Sequence, residues 1–330
     1  MSEQRQLRWG ILGCARIAQG SVIPGIQQSK SGVVAAIASR DYDKAKETAE
    51  RLNIPQSYGS YEQLLEDDSI DAVYIPLPNH LHKEWTIRAA QAGKHVLCEK
   101  PIALDQREAA EMAEACEKAG VVLAEAFMYR YHPRWDRIKE IIDSGEIGAV
   151  RGLHGTFTFN NAGDKTNVRY RKDWGGGSVY DIGCYPISAA RLILGAEPEG
   201  VTCQAFFSPE HDDVDMMASG LIEFPNSVPL TFDCAMWAAS RNTFEIVGSD
   251  GRIELPSAFV GNPNFYVTAG GQRREEEMPQ LNTYTLQADA FAESALEGKK
   301  QRFGPGDAVA NMRVIDACLL SARERIRVTL

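Results

Sequence analysis

No C-x-x-C pair occurs in this 330-residue chain, and its seven cysteines are scattered from Cys14 to Cys318. An odd, dispersed set speaks against a disulfide framework and shows no zinc-type spacing. Reduced, partly buried thiols in a cytoplasmic protein fit it better, and no metal site is expected. No apolar run is long enough to span a bilayer, and the opening residues hold no apolar stretch of the secretory kind. Positive charge is scarce: 35 Lys and Arg against 45 Asp and Glu leave a net charge of −10. An acidic surface does not attract nucleic acid or anionic membrane, so neither is an expected partner. An anionic cofactor would need a local positive pocket. Repeats and low-complexity segments are also missing, and the short charged run 273–277 reads as a solvated strand or loop. What is present is ordinary for a globular chain, with 44% hydrophobic and 24% charged residues. The length exceeds one comfortable core, so two domains are expected, 1–125 and 126–330.

In the first half, apolar strands over 7–12, 33–38, 72–75, 96–98 and 121–124 alternate with helical stretches. Gly93 and Gly120 close two of those helices, and Asp105 opens one. This alternation predicts βαβ units and a parallel, Rossmann-type sheet. At the first strand-to-helix turn stands Gly13-Cys14-Ala15-Arg16-Ile17-Ala18, a variant dinucleotide fingerprint with Ala15 in the place of the second glycine. Small residues there let backbone amides approach a pyrophosphate at the positive end of a helix. The second strand delivers Ser39-Arg40, with Lys44 one helical turn on. A hydroxyl and a guanidinium suit a 2′-phosphate, so NADP(H) is expected over NAD(H). Asp41 is the counter-signal, since a carboxylate can bond a ribose. The third turn, Pro76-Leu77-Pro78-Asn79-His80-Leu81-His82, is stiffened by two prolines; its histidines at i, i+2 do not share a helix face, and His82 reads as a loop stabiliser.

The stretch His95 to Pro101 reads as a buried strand that ends in Glu99-Lys100-Pro101. Proline disfavours helical geometry at Lys100, so the chain turns there. A lysine is left at the carboxyl edge of the sheet, where ligands of open α/β sheets bind. From Val150 onward the pattern changes to period two, with a hairpin signal at Gly248-Ser249-Asp250-Gly251. A large, mostly antiparallel open sheet is expected, with helices over 181–194, 286–296 and 307–322 on one face. The chain as a whole is thus read as α/β, a Rossmann domain followed by an α+β domain. The uncovered sheet face must be solvated or paired.

The Gly13 turn, the Pro-Leu-Pro-Asn-His turn and Glu99-Lys100-Pro101 at this spacing resemble the glucose–fructose oxidoreductase / inositol dehydrogenase / rhizopine-catabolism family. So does Trp174-Gly175-Gly176-Gly177-Ser178-Val179-Tyr180-Asp181-Ile182-Gly183-Cys184-Tyr185. Tyr185 stands where the inositol dehydrogenases carry histidine, which places the chain nearer the glucose–fructose oxidoreductase, xylose dehydrogenase and dimeric dihydrodiol dehydrogenase branch. The resemblance implies an NAD(P)-dependent oxidoreductase of a sugar or polyol, with a dihydrodiol as the second substrate class. A catalytically silent, cofactor-sensing regulator is the alternative of another kind. It also implies a homodimer or higher oligomer through the second sheet.

The chemistry expected is hydride exchange with a nicotinamide, coupled to proton exchange at a substrate oxygen. Tyr185 is the acid/base candidate, and a nearby lysine charge would favour its phenolate. Lys100 is expected to supply that charge, and Asp181, four residues before Tyr185, to orient a substrate hydroxyl. The expected cofactor contacts are Gly13, Cys14, Ala15, Arg16, Ile17, Ser39, Arg40, Lys44, Leu77, Asn79, His82, Glu99, Lys100, Arg130 and Trp174. Arg169 and Arg171 lie on the loop before the glycine run without an assigned role.

Overall fold

The computed structural model describes residues 5–330. They form two compact units, one reaching to Tyr131 and including Leu281–Val309, the other His132–Gln280 with Ala310–Leu330.

The first unit holds six parallel strands: β1 (Leu7–Leu12), β2 (Gly32–Ala38), β3 (Gln56–Tyr58), β4 (Ala72–Ile75), β5 (His95–Cys98) and β6 (Leu123–Glu125). Their order is β3-β2-β1-β4-β5-β6, so the strand order reverses between β1 and β4. Ligands of doubly wound sheets bind at that crevice, outside the carboxyl ends. The central strands are buried on both faces, which is why β4 reads as an unbroken apolar run. Local chemistry sets the helix ends. Asp41 and Asp105 accept from the Lys44 and Glu108 backbone amides to open two helices, and Gly120 closes one at φ +67°. Strand β6 starts at Leu123, later than expected, because the Val122 amide donates to His95 Nδ1 at 2.9 Å.

The helix Thr283–Glu297 corrects two expectations. The sequence pattern places it on the second sheet and puts the domain break after residue 125. Instead its Phe291 ring lies 4.9 Å from Trp9, and Ala288 and Ala292 join Ile11, Ile26, Ile37 and Tyr74 in the first core. The first unit therefore extends to Tyr131 and takes this late segment back. No local pattern announces which sheet a distant amphipathic helix covers.

The second unit holds nine strands: β7 (Val150–Asn160), β8 (Gly200–Ser208), β9 (Val214–Phe224), β10 (Val228–Ala235), β11 (Trp237–Gly248), β12 (Gly251–Leu255), β13 (Phe265–Ala269), β14 (Gln272–Glu276) and β15 (Val328–Thr329). The order is β14-β13-β12-β11-β7-β10-β9-β8-β15, antiparallel except for β7 beside β10. Its edges are blunted: β14 is the charged run, with Arg273 on Glu254, and β15 is two residues long. The helices Arg134–Asp143 and Cys184–Leu194, with the later turns of Pro305–Glu324, cover one face. Trp135 meets Phe244 there, and Ser321 Oγ accepts from the Cys203 amide at 2.9 Å. The other face is open and mixes polar pairs, such as His154 with Thr231, with exposed Phe206, Leu221 and Trp237. Among the described residues no helix is long and apolar enough to cross a membrane.

Candidate active site in two half-sites

At the carboxyl edge of the first sheet, Gly13 has φ +111°, and its amide donates to the Ala38 carbonyl at 2.8 Å. A side chain there would be strained, and its Cβ would lie 3.1 Å from Leu77 Cδ2. This cradle, open toward a helix start, fits a pyrophosphate. A π-helical turn (Ala18–Val22) follows, and Gln19 Nε2 donates to the Cys14 carbonyl at 2.6 Å. Arg16, Ile17, Arg40 and Lys44 are exposed around it, and Cys14 and Ala15 half-buried. Ser39 Oγ accepts from the Asp41 amide at 3.2 Å, while Asp41 spends its own carboxylate on the Lys44 amide. Asp41 is thus a helix cap.

The Glu99-Lys100-Pro101 turn is braced from three sides. Glu99 Oε2 accepts from the Lys100 amide at 3.2 Å, and Oε1 accepts from the Tyr74 hydroxyl at 2.5 Å. Burial, and next the Glu99 charge, hold the Tyr74 hydroxyl far above its ordinary pKa. The Lys100–Pro101 peptide is cis. His82, expected among the cofactor contacts, is fully buried, with Nδ1 3.0 Å from the Pro101 carbonyl and Nε2 2.8 Å from that of Leu77. Its task here is to tie two strand-end turns together. Burial lowers its pKa to about 4, so the ring is neutral near pH 7 and donates to one of the two carbonyls. Tyr284, which sequence reasoning missed, lies in the field of Glu99 and Lys100. It belongs to the late helix, so nothing near residue 100 signals it.

Arg130 also differs from its expected role. Its side chain is 2% exposed and paired with Asp307, between the Phe127 and Phe303 rings at 4.9 and 4.3 Å. This is a buried structural cation, held by an ion pair and two aromatic faces.

The second unit carries the glycine run, and each glycine has its own cause. Gly175 closes a short turn at φ +76°. Gly176 presses on the Arg169 carbonyl, 2.5 Å from where a Cβ would be. Gly177, at φ +123°, lies against the Asp215 carboxylate. Asp215 Oδ2 accepts from Ser178 Oγ and the Val179 amide, both at 2.7 Å, and so caps the turn that follows. Asp181 lies on that π-helical turn (Val179–Gly183), one turn before Tyr185 at the start of Cys184–Leu194. Arg169 Nε donates to Asp181 Oδ2 at 2.6 Å, and the Asp181 charge raises the Arg169 pKa. Tyr185 is 7% exposed, its ring edge-on to Phe157 at 5.2 Å and 5.3 Å from Phe259. Trp174 is half-buried under the Arg171 guanidinium at 4.9 Å. Sequence reasoning named Asp181 and Tyr185 but missed Asp215 and the partner of Asp181.

The doubly wound order and the Gly13 turn mark the first unit as a dinucleotide-binding domain of the Rossmann class. Residues 7–127 match the model of the oxidoreductase family with an NAD-binding Rossmann fold, and residues 135–254 match that family's C-terminal domain. The chain belongs to the glucose–fructose oxidoreductase / inositol dehydrogenase / rhizopine-catabolism family. It is 41% identical to a D-xylose 1-dehydrogenase (NADP(+)) of Haloferax volcanii, over 96% of this chain and 97% of that one. Among solved structures it is similar to an aldose–aldose oxidoreductase from Caulobacter crescentus, with TM-score 0.93, 30% identity and 99% and 100% coverage. A 3-ketoreductase from Actinomadura kijaniata, solved with NADP and TDP-benzene, gives TM-score 0.91 at 33% identity, covering 96% and 98%.

Proposed function

We propose that this protein is an NADP(H)-preferring oxidoreductase acting on a hydroxyl or carbonyl of an aldose-type sugar or polyol. The observation that carries this reading is the β2 end: exposed Arg40 follows buried Ser39 there, and Asp41 uses Oδ1 to cap the next helix on the Lys44 amide. The NADP-dependent xylose dehydrogenase at 41% identity supports the same cofactor and the same substrate class. The bound nicotinamide supplies the hydride chemistry. Tyr185 gives or takes the proton at the substrate oxygen, Lys100 stabilises the charge that develops there, and Asp181, steadied by Arg169, orients a substrate hydroxyl. Gly13, Cys14, Ala15, Arg16 and Ile17 hold the pyrophosphate, and Leu77, Asn79, Glu99 and Trp174 line the rest of the cofactor's path. Two copies pair through the open face of the nine-stranded sheet, where Phe206 stacks on Trp237 at 4.7 Å and both remain exposed.

The test is turnover of NADP+ and NADPH, followed by absorbance, with a panel of aldoses, ketosugars, polyols and trans-dihydrodiols. Aldose-dependent turnover faster with NADP+ than with NAD+ is the expected result. Turnover of dihydrodiols alone would move the substrate to the second class. Cofactor binding without any turnover would turn the reading to a cofactor-sensing regulator.

A further inference from the structure

We propose that Asp215 is a positioning residue for the reaction: from strand β9 it fixes the turn that carries Asp181 and leads into Tyr185. The inference rests on the roles proposed above for those two residues. All of the groups involved belong to the second unit. Asp215 is 2% exposed, and Ser178 and Cys234 are fully buried. Asp215 Oδ2 takes two donors at 2.7 Å, the Ser178 hydroxyl and the Val179 amide. Ser178 Oγ also lies 3.4 Å from Cys234 Sγ on β10. The π-helical turn is thus pinned where it begins to two paired strands. Glycines let it lie that close. A Cβ at Gly177 would stand 2.0 Å from Asp215 Oδ1, and one at Gly183 would stand 3.0 Å from Cys234 Sγ.

Three hydrogen bonds close a ring beside this pin. The Gly177 amide donates to the Arg169 carbonyl at 3.0 Å, and the Asp181 amide to the Gly177 carbonyl at 3.1 Å. Arg169 Nε donates to Asp181 Oδ2 at 2.6 Å and completes it. Gly177 is common to the ring and the pin, so a shift of the turn on Asp215 is passed to the Asp181 carboxylate. Tyr185 follows one helical turn later, at the start of Cys184–Leu194. A buried carboxylate is unfavourable unless its hydrogen bonds are made, and an apolar residue would fill a strand interior without that penalty. What the acid adds is direction, because hydrogen-bond geometry fixes where the two donors stand. A reacting group displaced by about 1 Å loses about 10²-fold in rate.

The experiment is steady-state turnover of the best aldose at pH 8, where Asp215 is ionised, with NADPH titration and thermal melts on the same samples. The variants are Asp215→Ala, Asp215→Asn, Ser178→Ala, Tyr185→Phe and Asp215→Ala combined with Tyr185→Phe. Asp215→Ala is expected to lower kcat about 10²-fold at a temperature where it is folded, with NADPH affinity within about threefold. Asp215→Asn keeps an acceptor oxygen and should stay within about tenfold of wild type. In the Tyr185→Phe background, Asp215→Ala should add less than about threefold. A lower Tm with full kcat, an equal loss of NADPH affinity, no recovery in Asp215→Asn, or the same loss without the Tyr185 hydroxyl would overturn the inference. If Asp215→Ala does not fold, Ser178→Ala decides: it should lower kcat about fivefold, the size of one hydrogen bond, and an unchanged kcat would overturn the inference. Near-normal kcat in Tyr185→Phe alone would instead sink the acid/base reading, and the role of Asp215 would fall with it.

Discussion

Asp215 shows how much one buried acid can decide. It holds its proton up to about 6 because burial penalises the carboxylate, against 3.8 for an ordinary aspartate. Between those values the folded chain binds the proton more tightly than the unfolded one, so this group's contribution to stability falls as pH rises from about 4 to above 6. Asp215→Asn keeps an oxygen for Ser178 and Val179 and cannot ionise. Its Tm relative to wild type should therefore rise from pH 4 to pH 7; a constant difference would show that Asp215 does not titrate in that window. His82 lies at the other extreme, buried and neutral near pH 7, and His82→Ala is expected to lower Tm by several degrees through the two turns it ties. Full stability in that variant would mean the turns hold themselves.

Two elements carry the structural predictions. In the glycine run, Gly177→Ala meets both a positive φ and the Asp215 carboxylate. A loss of about 1–3 kcal/mol in denaturant unfolding is expected, with turnover falling more than NADPH affinity. An alanine variant with wild-type turnover would show that the run is not what fixes Asp181 and Tyr185. In the late helix, Phe291→Ala leaves a hole against Trp9 and should cost about 3–5 kcal/mol. The contrast between these elements explains what could be read from sequence. The Gly13 turn, the Asp105 cap and the Glu99-Lys100-Pro101 turn are legible because their causes are local: a positive φ, a cap, a proline. The partner of Asp181 at Arg169, the acid under Gly177 and the sheet that Thr283–Glu297 covers are set by tertiary contacts. No spacing encodes those.

At the scale of the molecule, the six-stranded parallel sheet has the doubly wound order and the nine-stranded sheet has one bare face. Alternating strands and helices revealed the first sheet and period two the second, since a polar outer face is what a half-buried antiparallel sheet requires. On the bare face Arg241 reaches Thr156 at 3.2 Å, Ser219 donates to Asp233 at 2.6 Å, and Phe206, Leu221 and Trp237 stay exposed. If two copies pair there, Trp237→Glu buries an unpaired charge and should shift sedimentation toward monomer with the fold intact. A wild-type chain that sediments as a monomer would refute the pairing.

The central claim is proton exchange by Tyr185 aided by Lys100, in a chain that binds NADP(H) through its first unit. It is tested most directly by kcat/KM for the best aldose in wild type, Tyr185→Phe and Lys100→Met, with NADPH affinity measured on the same samples. Losses of about 10²–10⁴ in both variants, with NADPH affinity within a few-fold of wild type in Tyr185→Phe, are expected of a group that acts on the substrate oxygen. Tyr185→Phe retaining near-normal kcat/KM at all pH values would contradict the account.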